Sequence, residues 1–541
     1  MKRKIICLFL TGMITASVLL TGCSGGSSAS GEDAEGRTAI SYTGYWCNAD
    51  YEDGSYCEKM IEDALNLDIT VVKAETTDTI DLLLASDEMP DCVWLDKSPG
   101  WMYEQELVRT IPRDMVKQYC PKLLELYDEY PLMYEKTLNP ENKDEFRYLT
   151  GVTFQFVDYY LPCDFYRYDW IENLGLDLGV EVEQVDDRIY VASDGIELSK
   201  FREVMDAFVN QDPDGNGKND TIGATGPNLA VGQFFSAFGF HEKVNEVNGR
   251  AEQCYVMDEY KEYLKGFAEL YGDGLIDPEI ITGDRTVSWD KVNSNIAGYW
   301  ITSTNALNSW AVDRPPLTLL SGNPDAKILV TPGIKPDGGT VQGITNESPS
   351  YGSFYVSAKV DDEKLARILE FLEYTLFGGG DKDVHASLFY GEEGVDWEWN
   401  EDKSAPVKIN TLASGDKGTW TFGQFGQDRD VSKWTGEEDL FMTGSKYWCA
   451  NDYGIWMQYA KTPYKMDLAN VTDYEKIEQE ISSDLDAYVS NYRTQAILGQ
   501  IDVDATWEEY MAELDRLGYN RMMDELEKVE PLEDIIAAYE K

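Results

Sequence analysis

The sequence contains little histidine, and this limits the chemistry that it can support. Only two of its 541 residues are histidines, His241 and His385. The zinc-protease motif HExxH and the phosphate-binding motif GxxxxGK[ST] do not occur. Histidine-activated nucleophiles, zinc hydrolysis and P-loop chemistry therefore lack the residues they need. Acid–base catalysis by paired carboxylates, as in glycosidases, stays open because 99 residues are Asp or Glu.

Basic residues are scarce relative to acidic ones. The chain has 46 Lys and Arg against 99 Asp and Glu, which gives a formal net charge of −53. Such a field repels nucleic acid and anionic lipid, so both are excluded as partners. Aromatic residues are abundant, with 34 Tyr and 14 Trp. Together these features favour a neutral or cationic ligand held by aromatic rings.

The spacing of the cysteines excludes two common sites. No CxxC motif occurs, so a zinc ribbon and a thioredoxin-like pair are both absent. Beyond residue 23 the odd set of cysteines is Cys47, Cys57, Cys92, Cys120, Cys163, Cys254 and Cys449. An odd number leaves at least one thiol unpaired. We expect mostly free, partly buried thiols, with Cys47–Cys57 as the one bridge to test.

A long apolar run is found only at the N-terminus. Lys2, Arg3 and Lys4 precede an apolar stretch that ends in Leu-Thr-Gly-Cys at residues 20–23. This pattern predicts a secretory signal over 1–22, because the run is short for an uncleaved membrane helix. The ending resembles a bacterial lipobox, which implies lipidation of Cys23. Residues 23–37 are rich in Gly, Ser and acids and predict a flexible tether, so we expect a lipid anchor at the extracellular face of the membrane.

The rest of the chain alternates strand-like and helical patterns. Apolar residues recur at helical spacing in the segments 198–210, 260–271 and 363–377. Thr472 with Glu475, and Thr506 with Glu509, fit the capping box that begins a helix. The alternation predicts an α/β fold, and the length predicts at least two lobes.

Four segments occur in the order of a known family. They are ASDEMPDCVWL (85–95), FYRYDWIENLGL (165–176), VMDAFVNQDPDGNGKNDTIG (204–223) and FAELYGDGLIDPE (267–279). In this order the chain resembles extracellular solute-binding proteins of ABC importers, specifically the large oligosaccharide-binding lipoproteins. The resemblance implies a two-lobed, periplasmic-binding-protein-like fold of type II that closes over its ligand, with a multi-strand hinge.

The resemblance also implies an arrangement of lobes and a set of partners. We expect an N-terminal lobe of 38–160 plus 300–352, and a C-terminal lobe of 161–299 plus 353–541 with a helical tail. The implied partners are an oligosaccharide or other small polar solute and the permease subunits of an ABC importer. The implied protein is a non-catalytic monomer. A surface glycosidase with paired carboxylates, and an adhesin or sensor without transport, are the alternatives.

An acidic loop follows the helical pattern at 198–210. Oxygen ligands at alternating positions are supplied by Asp212, Asp214, Asn216, the Lys218 carbonyl and Asp220. The similar loops of the family bind a structural calcium, so the resemblance implies the same here. Position 12 of the loop is Gly223 where a calcium sensor has a bidentate Glu, so a full EF-hand is not expected. A solvated turn without a metal is the alternative.

A sugar site needs flat aromatic platforms beside polar groups, since sugars present apolar C–H faces and hydroxyl rims. Ligands of open α/β sheets bind at the carboxyl ends of strands. Residues at predicted strand ends or crossovers are therefore the candidates: Trp46, Trp94, Asp96, Tyr299, Trp300, Trp310 and Trp397.

Overall fold

Two separate β-sheets organise the chain, and each has its own hydrophobic core. The structure is a computed structural model. It describes residues 36–44, 47, 51–74, 77–86, 88–95, 97–152, 162–226, 232–241, 244–303, 314–344, 350–403, 406–409, 417–423, 460–461, 464–465 and 472–539. Cys23, the predicted signal and most of the predicted tether lie outside these residues. Within the described part of the chain, no helix combines the length and apolar character needed to cross a membrane.

The strands are short, as is usual for α/β proteins. In chain order they are β1 (Thr38–Gly44), β2 (Leu67–Val71), β3 (Cys92–Leu95), β4 (Ile111–Pro112), β5 (Leu138–Asn139), β6 (Asn142–Phe146), β7 (Leu149–Val152), β8 (Pro162–Arg167), β9 (Val182–Asp186), β10 (Ile189–Ala192), β11 (Ile196–Glu197), β12 (Ile222–Thr225), β13 (Asn245–Val247), β14 (Arg250–Glu252), β15 (Ala297–Ser303), β16 (Ile328–Thr331), β17 (Ile334–Lys335), β18 (Gly343–Ile344), β19 (Ser350–Val356), β20 (Trp397–Trp399), β21 (Pro406–Lys408) and β22 (Ala460–Lys461).

The helices cover both sheets and form the C-terminal part of the chain. They are α1 (Tyr56–Leu65), α2 (Thr77–Ala85), α3 (Pro99–Glu104), α4 (Arg113–Tyr119), α5 (Pro121–Glu129), α6 (Leu132–Thr137), α7 (Tyr168–Leu174), α8 (Leu198–Asn210), α9 (Asp258–Gly272), α10 (Arg285–Asn293), α11 (Leu317–Gly322), α12 (Asp362–Phe377), α13 (Lys382–Tyr390), α14 (Thr419–Phe422), α15 (Thr472–Ile497), α16 (Val503–Leu517), α17 (Tyr519–Leu526) and α18 (Leu532–Tyr539). Short 3₁₀ turns occur at Gly232–Phe238, Cys254–Val256 and Gly378–Gly380.

The first lobe is built on a five-stranded sheet of order β2-β1-β3-β19-β7. β1 is parallel to β2 and β3, whereas β19 is antiparallel to its neighbours β3 and β7. Helix α12 illustrates why these sequences form helices. Asp361 caps it by accepting from the Lys364 N–H, Gly378 ends it at φ 61°, and Leu365, Ile368 and Leu372 face the core.

The second lobe is built on a six-stranded sheet of order β12-β15-β8-β16-β10-β9. Helices α8 and α9 pack on it through rows of buried residues at helical spacing, among them Phe201, Phe208 and Phe267. The C-terminal helices join the same core through Tyr474, Leu485 and other buried residues of α15, α16 and α17. The predicted α/β class with two lobes is confirmed.

Strand pairing assigns two segments differently from the predicted lobe boundaries. We predicted that 300–352 belongs to the N-terminal lobe and that the C-terminal lobe resumes at 353. The structure corrects both, because β15 pairs with β8 and β12 in the second sheet and β19 pairs with β3 and β7 in the first. The described first lobe is therefore 36–152 plus 350–423, and the second is 162–344 plus 460–539.

The cysteines in the described residues are buried thiols that form no disulfide. They are Cys47, Cys57, Cys92, Cys120, Cys163 and Cys254. The expected Cys47–Cys57 bridge is absent, since both thiols pack separately in the first-lobe core. Burial raises the pKa of Cys47 to about 12 and raises those of Cys57, Cys92, Cys120 and Cys163 as well.

Candidate functional site

Along the described residues the chain changes lobe at three places, and a solute held between the lobes would lie near them. The chain crosses between β7 and β8, between β18 and β19, and between α14 and β22. The carboxyl ends of the parallel strands β1 and β3 share one edge of the first sheet. Since ligands of open α/β sheets bind at such edges, we expect solute contacts in the segments that follow these strands.

Three of the predicted ligand residues lie outside the described residues. They are Trp46, Asp96 and Trp310. In the sequence, Trp46 follows the end of β1 by two residues and Asp96 directly follows β3. Their assignment to the ligand site stays a prediction.

The other four predicted residues are packed inside the lobes, which corrects their assignment. Trp94 is 3% exposed, Trp300 is 2% exposed, and Tyr299 and Trp397 are fully buried. Trp300 stacks on Phe165 with ring centroids 5.5 Å apart. For Trp94, Tyr299 and Trp300 the physical reason is that β3 and β15 are covered on both faces, so side chains of either parity enter a core. Trp397 lies in the small β20–β21 sheet and packs against Ala386 and Tyr390.

Hydrogen bonds and ring contacts hold these rings in the cores. The Trp397 Nε1 donates to the Gly391 carbonyl at 2.9 Å. Trp94 meets Phe354 edge to face, with ring centroids 5.4 Å apart. Rings used in this way have no face available to a sugar in this structure.

A buried polar cluster lies on one face of the second sheet. Asp164 of β8 pairs in register with Ile301 of β15 and Thr331 of β16. In the described part of the chain no hydrogen-bond partner is found for the Asp164 Oδ2, the hydroxyls of Tyr166 and Tyr299, or the Thr331 Oγ1. Burial raises the pKa of Asp164 to about 8, and the neighbouring Tyr299 hydroxyl offsets this rise only in part. Near neutral pH the carboxyl is therefore largely protonated.

Sequence reasoning missed this cluster. A signal was present, because Asp164 is the one acid of β8 and lies between Cys163 and Phe165. Residues of the same strand with the opposite parity, such as Phe165, enter a different core. Fully buried acids are rare, and buried side-chain oxygens without a hydrogen-bond partner are rarer still.

The acidic loop forms a tight turn rich in oxygen atoms. Asp212, Gly215 and Gly217 adopt positive φ angles of 51°, 69° and 83°. The Asn216 Nδ2 donates to the Asp214 Oδ2 and the Asp220 Oδ1, both at 3.0 Å. One amide group thus joins two carboxylates of the loop.

Two further observations bear on a cation at this loop. The Asp212 Oδ1 is buried and has no hydrogen-bond partner in the described residues. Among the same residues, however, no group of three or more acidic, His or Cys side chains is spaced closely enough to hold a metal ion as it stands. To bind a cation, the loop would therefore have to rearrange. The Asn216 amide would turn its oxygen toward the ion, and the Asp214 and Asp220 carboxylates would move closer together.

The end of the loop explains why the EF-hand pattern is incomplete. A side chain at Gly223 would overlap the Leu275 carbonyl oxygen. Thr221 is also unavailable as a ligand, because its Oγ1 donates to the Phe208 carbonyl at 2.5 Å. The entry into β12 is too crowded for the twelfth ligand.

A polar contact joins the lobes at the beginning of α15. The Glu475 carboxylate accepts hydrogen bonds from the Ser98 hydroxyl and, at 3.0 Å, from the Gly100 N–H. The Arg147 Nη2 lies 4.0 Å from the Glu475 Oε2. Burial raises the pKa of Glu475. A cavity of about 220 Å³ adjoins this contact and is lined by residues of both lobes, including Tyr103, Arg147 and Glu475.

Two α/β lobes connected by crossing segments define the fold of extracellular solute-binding proteins, and comparison with known proteins agrees. No protein-family model matches the chain. It is 29% identical over 229 residues to Lipoprotein LipO of Bacillus subtilis (strain 168), a match that covers 41% of this chain and 40% of LipO. That match therefore spans less than half of the relative's length.

A second relative is matched over most of its length. The fructooligosaccharide ABC transporter substrate-binding protein FusA of Streptococcus pneumoniae is 22% identical over 508 residues, covering 84% of this chain and 82% of FusA. Its structure in complex with kestose matches with a TM-score of 0.68 over 91% of this chain and 98% of FusA at 17% identity. An EF-hand mutant of FusA in complex with fructo-nystose also matches, with a TM-score of 0.65.

A third match is structural. An extracellular solute-binding protein from Bifidobacterium longum subsp. infantis matches with a TM-score of 0.69 over 92% of this chain and 99% of that protein, at 15% identity. These similarities confirm the predicted resemblance to extracellular solute-binding proteins and the predicted two-lobed fold.

Proposed function

We propose that this protein captures a carbohydrate outside the cell and delivers it intact to an ABC importer. The observation that carries the proposal is the fold itself, in which two lobes with separate sheets are linked by connecting segments of the chain and by contacts of the C-terminal helices. FusA shares this fold over 91% of the chain and was solved with a bound oligosaccharide. Closure over a solute would let a permease distinguish loaded from empty protein, because a ligand shifts the lobes toward the state that it binds better.

The proposed location follows from the N-terminal sequence. Lipidation of Cys23 would hold the protein at the extracellular face of the membrane, and residues 23–37 would give it reach. LipO is itself named a lipoprotein, which supports this part of the proposal. The acidic surface fits a body that is tethered at a distance from anionic headgroups.

The first test is binding without cleavage. Purified mature protein is heated with kestose, nystose, human-milk oligosaccharides, alginate and pectin fragments in separate samples. One of these is expected to stabilise the fold by about 2.7 kcal/mol when present at about 100 times its Kd. Chromatography of the same samples should show the sugar unchanged. Shortened products would favour the glycosidase alternative. If no glycan stabilised the protein, the proposal of carbohydrate capture would be wrong.

A substitution series would then locate the site. Trp46→Ala and Trp310→Ala are each expected to weaken binding of the stabilising sugar about tenfold, because a lost aromatic platform costs at least about 1.4 kcal/mol. Trp507→Ala, on the C-terminal helix α16, is the control and should leave the affinity unchanged. Calorimetry measures all three. If every variant bound the sugar with the wild-type affinity, neither ring would belong to the site.

The acidic loop is proposed as a structural calcium site in the second lobe. Its ligands would be Asp212, Asp214, Asn216, the Lys218 carbonyl and Asp220, completed by water. The partnerless Asp212 oxygen and the shared Asn216 amide support this assignment. When bound, the ion would offset two of the three carboxylate charges and stabilise the turn between α8 and β12. The alternative remains a turn that is stable without metal.

Calcium dependence is directly measurable. Adding CaCl₂ to metal-free protein is expected to stabilise the fold by about 2.7 kcal/mol at about 100 times the Kd, and EDTA should reverse the effect. Asp214→Asn should abolish the response. The matched control is Asp206→Asn, an exposed acid on the preceding helix, which should respond like wild type. A melting temperature insensitive to both calcium and EDTA would establish the metal-free turn.

A further inference from the structure

The long helix α15 belongs to one lobe but touches the other. Along its length it packs on the second lobe, where Tyr474, Ile481 and Leu485 share the apolar core with α9 and α17. Its first turns instead meet α3 of the first lobe through polar groups. Helix α18 also lies against α6, so the C-terminal part of the chain spans both lobes.

Among the described residues, the groups that contact the Glu475 carboxylate lie on the first lobe. Ser98 and Gly100 donate to its Oε1, and Arg147 faces its Oε2. The Gln479 Nε2, one turn further along α15, donates to the Ser98 Oγ at 2.9 Å. Glu475 itself is 4% exposed. The contact is thus a compact set of hydrogen bonds that crosses between lobes.

The fit at Gly100 is tight. A Cβ at this position would overlap the Glu475 carboxylate oxygens. The backbone of α3 can reach the carboxylate only because residue 100 has no side chain. A glycine on one lobe and an acid on the other are therefore matched in shape as well as in hydrogen bonding.

The two sides of α15 differ in how easily they separate. Pulling α15 from the second lobe would expose an apolar core, at about 25 cal/mol for every Å². Pulling it from the first lobe breaks the hydrogen bonds of Glu475 and Gln479, whose polar groups water can hydrogen-bond instead, and the adjoining cavity of about 220 Å³ already leads to Arg147 and Glu475. When the first lobe moves away from α15, the bonds to Glu475 therefore break while the packing of α15 on the second lobe is kept.

We infer that Glu475 is a latch between the lobes, which holds them together through Ser98 and Gly100 and releases when they separate. Because a hydrogen-bonded carboxylate is removed, Glu475→Ala is expected to shift the ratio of separated to contacting lobes by about tenfold or more. Gly100→Ala should act in the same direction from the opposite lobe, since its methyl group pushes the carboxylate away. The inference rests on the fold and holds whatever the solute is.

Small-angle X-ray scattering on the sugar-free full mature chain tests the latch. The radius of gyration should rise in Glu475→Ala and in Gly100→Ala. The double variant should match Glu475→Ala alone, because the methyl group has nothing left to displace. The controls are Glu508→Ala, an exposed acid on α16, and Gly272→Ala, where a Cβ meets nothing within 4 Å; both should match wild type.

Circular dichroism checks that each variant folds. If Gly100→Ala does not fold, Ser98→Ala replaces it, because it removes one hydrogen bond to Glu475 and should also raise the radius of gyration. A radius of gyration unchanged in folded Glu475→Ala and Ser98→Ala would overturn the latch. Additive effects of Gly100→Ala and Glu475→Ala would also overturn it, because the two residues would then act separately.

Discussion

Replacing Trp300 by alanine is expected to lower the free energy of unfolding by about 3–5 kcal/mol, the range found when a large buried aromatic is truncated. Trp300 is 2% exposed and stacks on Phe165 in a core that also contains Val330 and Ile189. The substitution would leave a cavity between β8, β15 and the helices that cover them. Urea unfolding followed by tryptophan-independent circular dichroism measures the loss.

Trp300→Phe is the matched control. It keeps a ring against Phe165 and removes an indole N–H that has no hydrogen-bond partner among the described residues, so its cost should be much smaller. Sugar affinity of the folded Trp300→Ala protein should be unchanged. If affinity fell while stability did not, the ring would belong to the ligand site that the sequence suggested.

Replacing Asp164 by asparagine is expected to make the stability of the protein much less dependent on pH. The pKa of Asp164 is about 8 in the folded chain against an ordinary value of 3.8, so between these values the folded state holds a proton that the unfolded state has lost. Stability from this group is therefore present at low pH and is lost as pH rises toward 8. Over pH 5 to 8 the loss is on the order of 4 kcal/mol.

The difference between wild type and Asp164→Asn isolates this effect. Asparagine does not ionise, so the variant should gain most over wild type at pH 8 and least at pH 5. Asp206→Asn serves as the exposed control and should follow the wild-type curve. Parallel curves for wild type and Asp164→Asn in urea unfolding at pH 5, 6, 7 and 8 would show that the carboxylate is not desolvated.

Local patterns predicted the helices well but misjudged which groups they contact. The spacing of Thr472 and Glu475 suggests a capping box, and a helix does begin at Thr472. The Glu475 carboxylate, however, bonds to Ser98 and Gly100, more than 370 residues away in sequence. At Thr506 the pattern falls inside α16, because Asp502 caps that helix by accepting from the Ala505 N–H.

The lobe boundaries and the ligand residues were harder to predict, and for the same reason. Both depend on which strands pair, and no local period encodes that β19 returns to β3 after more than 250 residues. From the sequence alone, the alternation of side chains along β15 allows its aromatic residues to face either a cleft or a core. Only the six-stranded pairing around β8 shows that Tyr299 and Trp300 enter cores on opposite faces.

The buried thiols have a practical consequence for following lobe motion. A maleimide reacts with the thiolate, and burial keeps Cys47, Cys57, Cys92, Cys120 and Cys163 protonated at neutral pH. A cysteine introduced on each lobe surface should therefore accept a fluorophore far faster than these native positions. Energy transfer between two such dyes could report the separation of the halves in single molecules while these five native cysteines are kept.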